Sequence, residues 1–590
     1  MKFRTFVSTL LAVALVLLTL GIGGFWKLTA QTPLSLLKEG RQAAPSAAIF
    51  APKQAPVMIS LLVNPDRLAF LRRVLVWPGA RRRSQAEIDQ IERILLAKTG
   101  LTYSEDIQPW LGEEVTFAVT TSDIDRDQSN GEQPGYLLVL TSRDGKRAKD
   151  FIQLFWQKRA MAGADLVFEQ YSGVKLIYGS RQEPPQVASE TKSADGLGEA
   201  AFSADRLASA VVGDRFILFG NEPAVLRQAI NTVQVRDLNL DSSIAYQRAL
   251  ETLSVNPVGV AFMNLPQLAA WLGDTSVGMA DRSADSADDG TAIFEHALIA
   301  LKLDRHGLLA DIALLATAGE QLQPIHPAAS QPVGALKHMP AEAALVAAGT
   351  DLSQTWEGLI QSTQPYPAIA KWLSQFLDGV QARWGLAPSE SFFPAITGEY
   401  ALGLTPLIDP STPDWIFVVK REAAAAAAIE QLDTLAKEQG LNVTPLTLAG
   451  QAVSAWTKIA TESVPLSQSE PEQMRLKTQV EGLHTQLEDY ELFTTSVATM
   501  DLALKSGENS LLDSDAFQQA IAPLSRNNDG YLYLDWPTVK TLVEEQAPLV
   551  KFLELIGQPF FNHLDSLTLS SYGGKAGLHQ GGIFLRLVDR

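Results

Sequence analysis

The first hydrophobic pattern along the chain is an unbroken one. Phe6 to Trp26, FVSTLLAVALVLLTLGIGGFW, holds no charged residue over 21 positions. At about 1.5 Å per helical residue such a run crosses the roughly 30 Å hydrocarbon layer of a bilayer. A cleaved signal peptide is the competing reading, but its apolar region is typically about 7 to 15 residues and ends on small side chains. Here the run is longer and Leu28 is large, so the pattern predicts an uncleaved anchor over residues 1–28. Lys2 and Arg4 before the run place the N-terminus in the cytoplasm and the remaining mass outside it, although Lys27 weakens that asymmetry. Residues 29–56, rich in Ala, Pro, Gln and Ser, lack periodicity and are expected to be a tether.

Beyond it, Val57 to Val63 reads as a buried strand by its β-branched content, with Asn64 or Asp66 capping a helix that reaches Leu75 and a second helix over 84–98. Ala148, Phe151, Ile152 and Phe155 give the segment 144–159 one sheet-facing stripe. Several strands follow one another without a helix between them: 114–120 with 135–141, 207–212 with 215–219, and 293–304 with 307–315. The last pair turns at Asp304-Arg305-His306-Gly307, and Tyr572-Gly573-Gly574 is expected to do the same near the C-terminus. Direct succession implies antiparallel pairing and an α+β class.

The pattern then occurs a second time. Ala245 to Leu272 lies without a gap on Ala516 to Val543, a shift of 271, with eight identities in 28 positions, Gly259 on Gly530 and Pro266 on Pro537 among them. Upstream, 213–230 lies on 487–504, Gly173 on Gly450, the strand and helix from Gly135 on those from Asp414, and Gly112-Glu113 on Gly398-Glu399. The strand and cap that open the first half recur after Met339-Pro340, with a second helix over 369–383. The expected architecture is therefore two tandem copies of an antiparallel-sheet-plus-helices unit, 57–317 and 339–590, joined by a Pro-containing linker over 318–338, behind one N-terminal transmembrane helix. Polar stretches at 122–133, 181–198, 273–290 and 460–477 read as loop-tip insertions that cannot order themselves.

At 590 residues the chain exceeds one core, in keeping with two units of about 250 residues. With 46% hydrophobic and 19% charged residues it is expected to be globular, and its net charge of −18 disfavours a nucleic-acid partner. There is no cysteine, which excludes disulfides, thiol nucleophiles and Cys-ligated metals.

The candidate chemistry is sparse. Histidines at 296, 306, 326, 338, 484, 563 and 579 are scattered, without the spacing that convergent metal ligands need. No phosphate-binding glycine loop and no GxSxG elbow occurs, and no cofactor is expected. Glu113 and Glu399 stand at matched positions and could act as paired carboxylates, as in a glycosidase, but a solvated turn residue is the more economical reading. Trp110 is expected in the core at the start of a strand. The sharpest feature is basic: Arg72, Arg73, Arg81, Arg82 and Arg83, with Arg67, cluster around Trp77-Pro78 in an otherwise acidic chain. They are candidates for contact with anionic headgroups, each worth about 1 kcal/mol near the surface. The alternative for them is a solvated turn between helices.

The segments GLTYSEDIQPWLGEEVTFAV, YLLVLTSRDGKRAKDF, YSGVKLIYG and GDRFILFGNEPAVLRQAI resemble a family of cyanobacterial membrane-anchored proteins catalogued only as a domain of unknown function. The resemblance implies a plasma or thylakoid membrane setting and brings no catalytic or ligand-binding residues. The reading that follows is a non-enzymatic binding or scaffolding protein, anchored in the membrane, with its bulk in the periplasm or lumen and a protein partner at the envelope or thylakoid. Its alternatives are an envelope hydrolase using carboxylates and a lipid-binding carrier.

Overall fold

The computed structural model describes residues 44–64, 103–126, 133–161, 163–180, 207–252, 257–268, 294–317, 329–363, 393–405, 414–464, 473–540, 561, 563–575 and 577–588. The expected anchor, the helices over 66–75, 84–98 and 369–383, and the loops 181–198 and 273–290 lie outside these residues. Among the described residues, no helix is long and apolar enough to cross a membrane.

In the first half the strands are β1 (Val57–Leu61), β2 (Leu111–Thr121), β3 (Gly135–Ser142), β4 (Leu166–Tyr171), β5 (Val174–Gly179), β6 (Ala208–Val212), β7 (Phe216–Gly220), β8 (Gly259–Asn264), β9 (Phe294–Asp304) and β10 (Gly307–Ala316). The helices among them are α1 (Gly145–Met161), α2 (Pro223–Gln234) and α3 (Ile244–Glu251). The second half holds β11 (Leu345–Gly349), β12 (Tyr400–Thr405), β13 (Asp414–Lys420), β14 (Asn442–Leu448), β15 (Gln451–Val464), β16 (Gln473–Leu487) and β17 (Tyr490–Thr494). It closes with β18 (Gly530–Asp535), β19 (Leu564–Lys575) and β20 (Leu578–Leu587), and its helices are α4 (Leu352–Thr363), α5 (Ala423–Glu438), α6 (Val497–Lys505) and α7 (Asp515–Ile521).

These twenty strands form one sheet, and every described pairing is antiparallel, which makes the class α+β. Across the first half the order is 4-5-6-7-3-2-1-8-9-10, and across the second it is 14-15-16-17-13-12-11-18-19-20. The second order is the first with ten added to each number. The halves meet where β10 pairs with β20, from Gly307↔Arg586 to Leu315↔Leu578.

Strand residues are apolar on both faces because both faces are covered. On β3, Leu137 and Val139 join one core with α2, α3 and residues 47–51, whereas Leu140 joins the opposite core with Trp110 and α1. A period of two sends neighbours to opposite faces, so a strand buried on both reads as a continuous apolar run. In the second half α5 buries Ala425, Ala428, Ile429, Leu432 and Ala436, one helical stripe, on one side. α6, α7 and residues 333–343 cover the other. Helix starts follow local chemistry: Ser243, Ser496 and Ser514 accept the backbone N–H of Tyr246, Thr499 and Phe517.

Four expectations differ from the structure. The stretch expected as tether up to Pro56 is packed from Pro45 onward: Ser46–Ile49 forms a 3₁₀ turn, and Ala48 and Phe50 are fully buried. It has no periodicity because it is a strap laid across a sheet rather than a regular element. The polar stretch 460–477 is strand as far as Val464 and again from Gln473, since Lys458 to Val464 pairs with Gln473 to Gln479. Tyr572-Gly573-Gly574 is no hairpin end. Gly573, at φ 78°, sits in a bulge between Ser571 and Gly574, and the strands continue to the pair Lys575↔Leu578. The register also moves the glutamate match by one residue. Leu61 pairs with both Gly259 and Val115, as Gly349 pairs with Gly530 and Tyr400, so Glu114 rather than Glu113 occupies the position of Glu399.

Candidate functional site

Each half has a strap that runs into its first strand, and the strap is held by the glutamate at the start of the neighbouring strand. In the first half Glu114, with no exposed surface, accepts the backbone N–H of Ser46 at 2.9 Å and of Ala47 at 2.8 Å, the Ser46 hydroxyl, and Thr116 Oγ1 at 3.0 Å. In the second, Glu399 accepts the Gly334 N–H at 3.0 Å and the Tyr490 hydroxyl at 2.9 Å. Both acids cap the first turn of a 3₁₀ helix, Ser46–Ile49 and Gly334–His338, where unpaired N–H groups favour negative charge. Glu399 is therefore not the solvated turn residue expected from the sequence, and the carboxylates of Glu114 and Glu399 are each engaged within their own half. The hydroxyl donor changes sides: Ser46 supplies it from the strap, whereas Gly334 has none and Tyr490 supplies it from β17. A Cβ at residue 334 would run into that hydroxyl.

The straps repeat in finer detail. Leu240 N–H donates to Ala51 O and Leu511 N–H to Met339 O, both at 2.8 Å, and Pro52 and Pro340 form single bridges with Asn239 and Ser510. Phe50 meets Phe216 with ring centroids 5.0 Å apart, and His338 meets Tyr490 at the same 5.0 Å. His338 thus stands where a phenylalanine stands in the first half. It is 7% exposed, its Nε2 has no hydrogen-bond partner among the described residues, and burial pushes its pKa down, with the Lys337 charge adding to this and Glu488 opposing.

A second constellation lies beside the junction of the halves. Ser571 Oγ on β19 is 3.0 Å from Asp529 Oδ2 and 3.1 Å from His579 Nε2 on β20, and accepts the Gly573 N–H at 3.3 Å. Serine, histidine and aspartate together invite comparison with a nucleophile and its base. The proton count decides otherwise. An ionised aspartate only accepts, so the single serine proton goes to Asp529, and His579 Nε2–H must donate to Ser571. The imidazole then has nothing at Nε2 with which to take the serine proton, and the hydroxyl's one proton and two lone pairs are all engaged. Burial holds the His579 pKa below its usual value while the Asp529 charge pulls it back up, consistent with a neutral donor. The group works as a polar clasp on the bulge at Gly573.

The same three positions are apolar in the first half. Asp529 N–H donates to Ser571 O as Val258 N–H donates to Leu301 O, and the β9–β10 and β19–β20 registers set His579 where Leu308 lies. Val258, Leu301 and Leu308 are replaced by Asp529, Ser571 and His579. Ion pairs flank the same junction: Lys302 with Asp311, and Arg586 with Asp565, Arg586 also donating to Gln519 Oε1 at 2.9 Å. Sequence reasoning found none of these, because their partners are 8 to 67 residues apart and only the register unites them.

Among the described residues no group of three or more His, Asp and Glu is placed to hold a metal ion. Trp110 is buried at 1% exposure and packs on Phe151, as expected for a core residue. Arg72, Arg73, Arg81, Arg82 and Arg83 lie outside the described residues.

No curated protein matches the chain. A solved structure titled "Structure of crystal form III of TP0453" aligns over 48% of this chain and 84% of its own, at 7% identity and a TM-score of 0.23, too low to carry an argument. The match to the family described as "Protein of unknown function (DUF3352)" runs over residues 10–587, and the chain belongs to that family.

Proposed function

We propose that this is a membrane-anchored, non-enzymatic scaffolding protein: one helix over residues 6–26 in the bilayer and a duplicated α+β unit outside the cytoplasm, at the plasma or thylakoid membrane. The observation that carries the scaffolding role is the continuity of the sheet through β10 and β20, which makes two similar halves one extended platform. Identical strand order, matched straps and matched glutamate caps support descent from a duplicated unit. The hydrolase reading gains nothing from the geometry, since Glu114 and Glu399 serve as caps and Ser571 has no base. Arg72, Arg73, Arg81, Arg82 and Arg83 would dock the first half on anionic headgroups, an attraction screened over a Debye length of about 8 Å at physiological salt.

The test is affinity purification of the full chain from gently solubilised membranes. A stoichiometric protein partner is the expected result. Repeated recovery of the chain alone, from membranes in which it is abundant, would defeat the scaffolding role.

A further inference from the structure

We infer that the stretch from Val235 to Ile244 in the first half is a lipid-facing contact that rests on the bilayer surface. Val235 caps the end of α2, Leu238 closes the 3₁₀ turn Arg236–Leu238, and Ile244 opens α3. Their exposures are 49%, 50% and 78%, and they make three of the ten exposed large hydrophobics among the described residues. Single exposed apolar residues are ordinary on any protein. The weight falls on two further observations.

The first is the contrast with the other half. The shift of 271 that sets Ser243 on Ser514, both helix caps, sets Val235 on Ser506, Leu238 on Asn509 and Ile244 on Asp515. At two of these positions, Asn509 and Asp515, the second half presents polar groups to water, while Ser506 is buried and donates to Lys337 O and Ala503 O; the first half presents branched aliphatic side chains at all three. The fold does not require them, because the same turn forms without them.

The second is where the stretch lies. Lys53 N–H donates to Leu238 O at 3.0 Å and Leu240 N–H to Ala51 O at 2.8 Å, so the stretch is stitched to the strap by which the chain enters the first half. Between Trp26 and Ala44 are 17 residues, 27–43, a length of chain that can span at most about 60 Å in any conformation. Given the anchored reading proposed above, on which this inference rests, that side of the first half is held near the membrane. Lys53 and Arg236 beside Asp237 and Asp241 give the apolar trio a mixed polar surround, which suits shallow seating among headgroups rather than insertion.

The chain has no cysteine, so single-cysteine variants of the full protein can be labelled without background. Leu238→Cys and Ile244→Cys, with Asn509→Cys and Asp515→Cys as counterparts, are all at exposed sites. Each is labelled with an environment-sensitive fluorophore and reconstituted into phosphatidylcholine–phosphatidylglycerol vesicles, with and without nitroxide-headgroup lipid. The expected result is a blue shift and nitroxide quenching at 238 and 244 and neither at 509 and 515. Four equally solvated labels overturn the inference, as does a blue shift at 238 and 244 without quenching, which means that protein covers them. Flotation after alkaline extraction separates the two claims. A chain that floats with unquenched labels keeps its anchor and loses this contact, and a chain that fails to float loses both.

Discussion

His338 and Ser46 show how much one position depends on its counterpart. His338→Phe copies the Phe50 arrangement and removes a buried nitrogen without a partner, so the variant should be more stable by about 1–2 kcal/mol in denaturant unfolding. It should also be less sensitive to acid. His296, His338 and His579 are all held below their usual pKa by burial, so the unfolded chain binds more protons once the pH drops below about 6.5. Stability is then complete above that pH and falls as the pH descends, and a loss that is no shallower in His338→Phe would refute the assignment. Glu491, whose pKa burial raises against the pull of Arg421 and His484, opposes the trend, but one acid faces three histidines. The strap hydroxyl gives a second test. Ser46→Gly should cost about 1.5–3 kcal/mol by removing a donor to Glu114. Ser46→Gly combined with Phe216→Tyr, which rebuilds the Gly334–Tyr490 pair, should recover much of that loss, and strictly additive effects in the double-mutant cycle would contradict the exchange. Nothing in the sequence exposes it, because Ser46 and Phe216 are far apart in the chain and the glutamate match is off by one until the register is known.

At the scale of elements, the local punctuation was the most legible. The match of Gly173 to Gly450 marks two-residue hairpin turns in which Ser172 and Ala449, at φ 47° and 48°, precede glycines at 83° and 81°. Both central residues with positive φ define a turn for which Asn-Gly is preferred, and an alanine there is strained by about 1–2 kcal/mol. Ala449→Asn should therefore raise the thermal midpoint, by about 0.5–1 kcal/mol of stability. An unchanged or lower midpoint would mean that the turn is not as strained as its angles indicate. Strands with apolar runs, the stripe on α1 and the turn at Asp304–Gly307 were equally readable, because each is fixed by neighbours within a few residues. The straps were not. Residues 45–56 are held by Glu114 and by the turn after α2, contacts made across 60 to nearly 200 residues, and a segment with neither the period of a helix nor that of a strand reads as linker. The length of the β15–β16 pairing was missed for the opposite reason: Ala460 to Val464 and Gln473 to Lys477 obey strand pairing despite a loop-like composition.

For the whole molecule, the twofold succession of elements was visible in sequence, but how the halves join was not, since the β10–β20 pairing leaves no trace in either strand. Its weak point is Gly307, where a Cβ would collide with the backbone oxygen of Leu585. Gly307→Ala should loosen that end of the junction, costing about 1–3 kcal/mol, and split a single calorimetric transition into two. One unchanged transition would show that the halves do not depend on that contact. The replacement of Val258, Leu301 and Leu308 by Asp529, Ser571 and His579 was equally hidden, because it becomes a group only when three strands are in register. The straps have a mechanical consequence. Any pull on the chain before residue 44 reaches the sheet through Ser46 and Ala47, and what it meets first is the Glu114 carboxylate. That acid grips the strap at its very start, so tension must break its hydrogen bonds before it can peel β1 from between β2 and β8. A pull transmitted through the segment that links the halves is met first by the two hydrogen bonds between Ala329 and Asn528 and then, at Gly334, by Glu399. Each half therefore carries its own strain relief, and a load on one end of the chain stops at a glutamate before it can unzip the sheet.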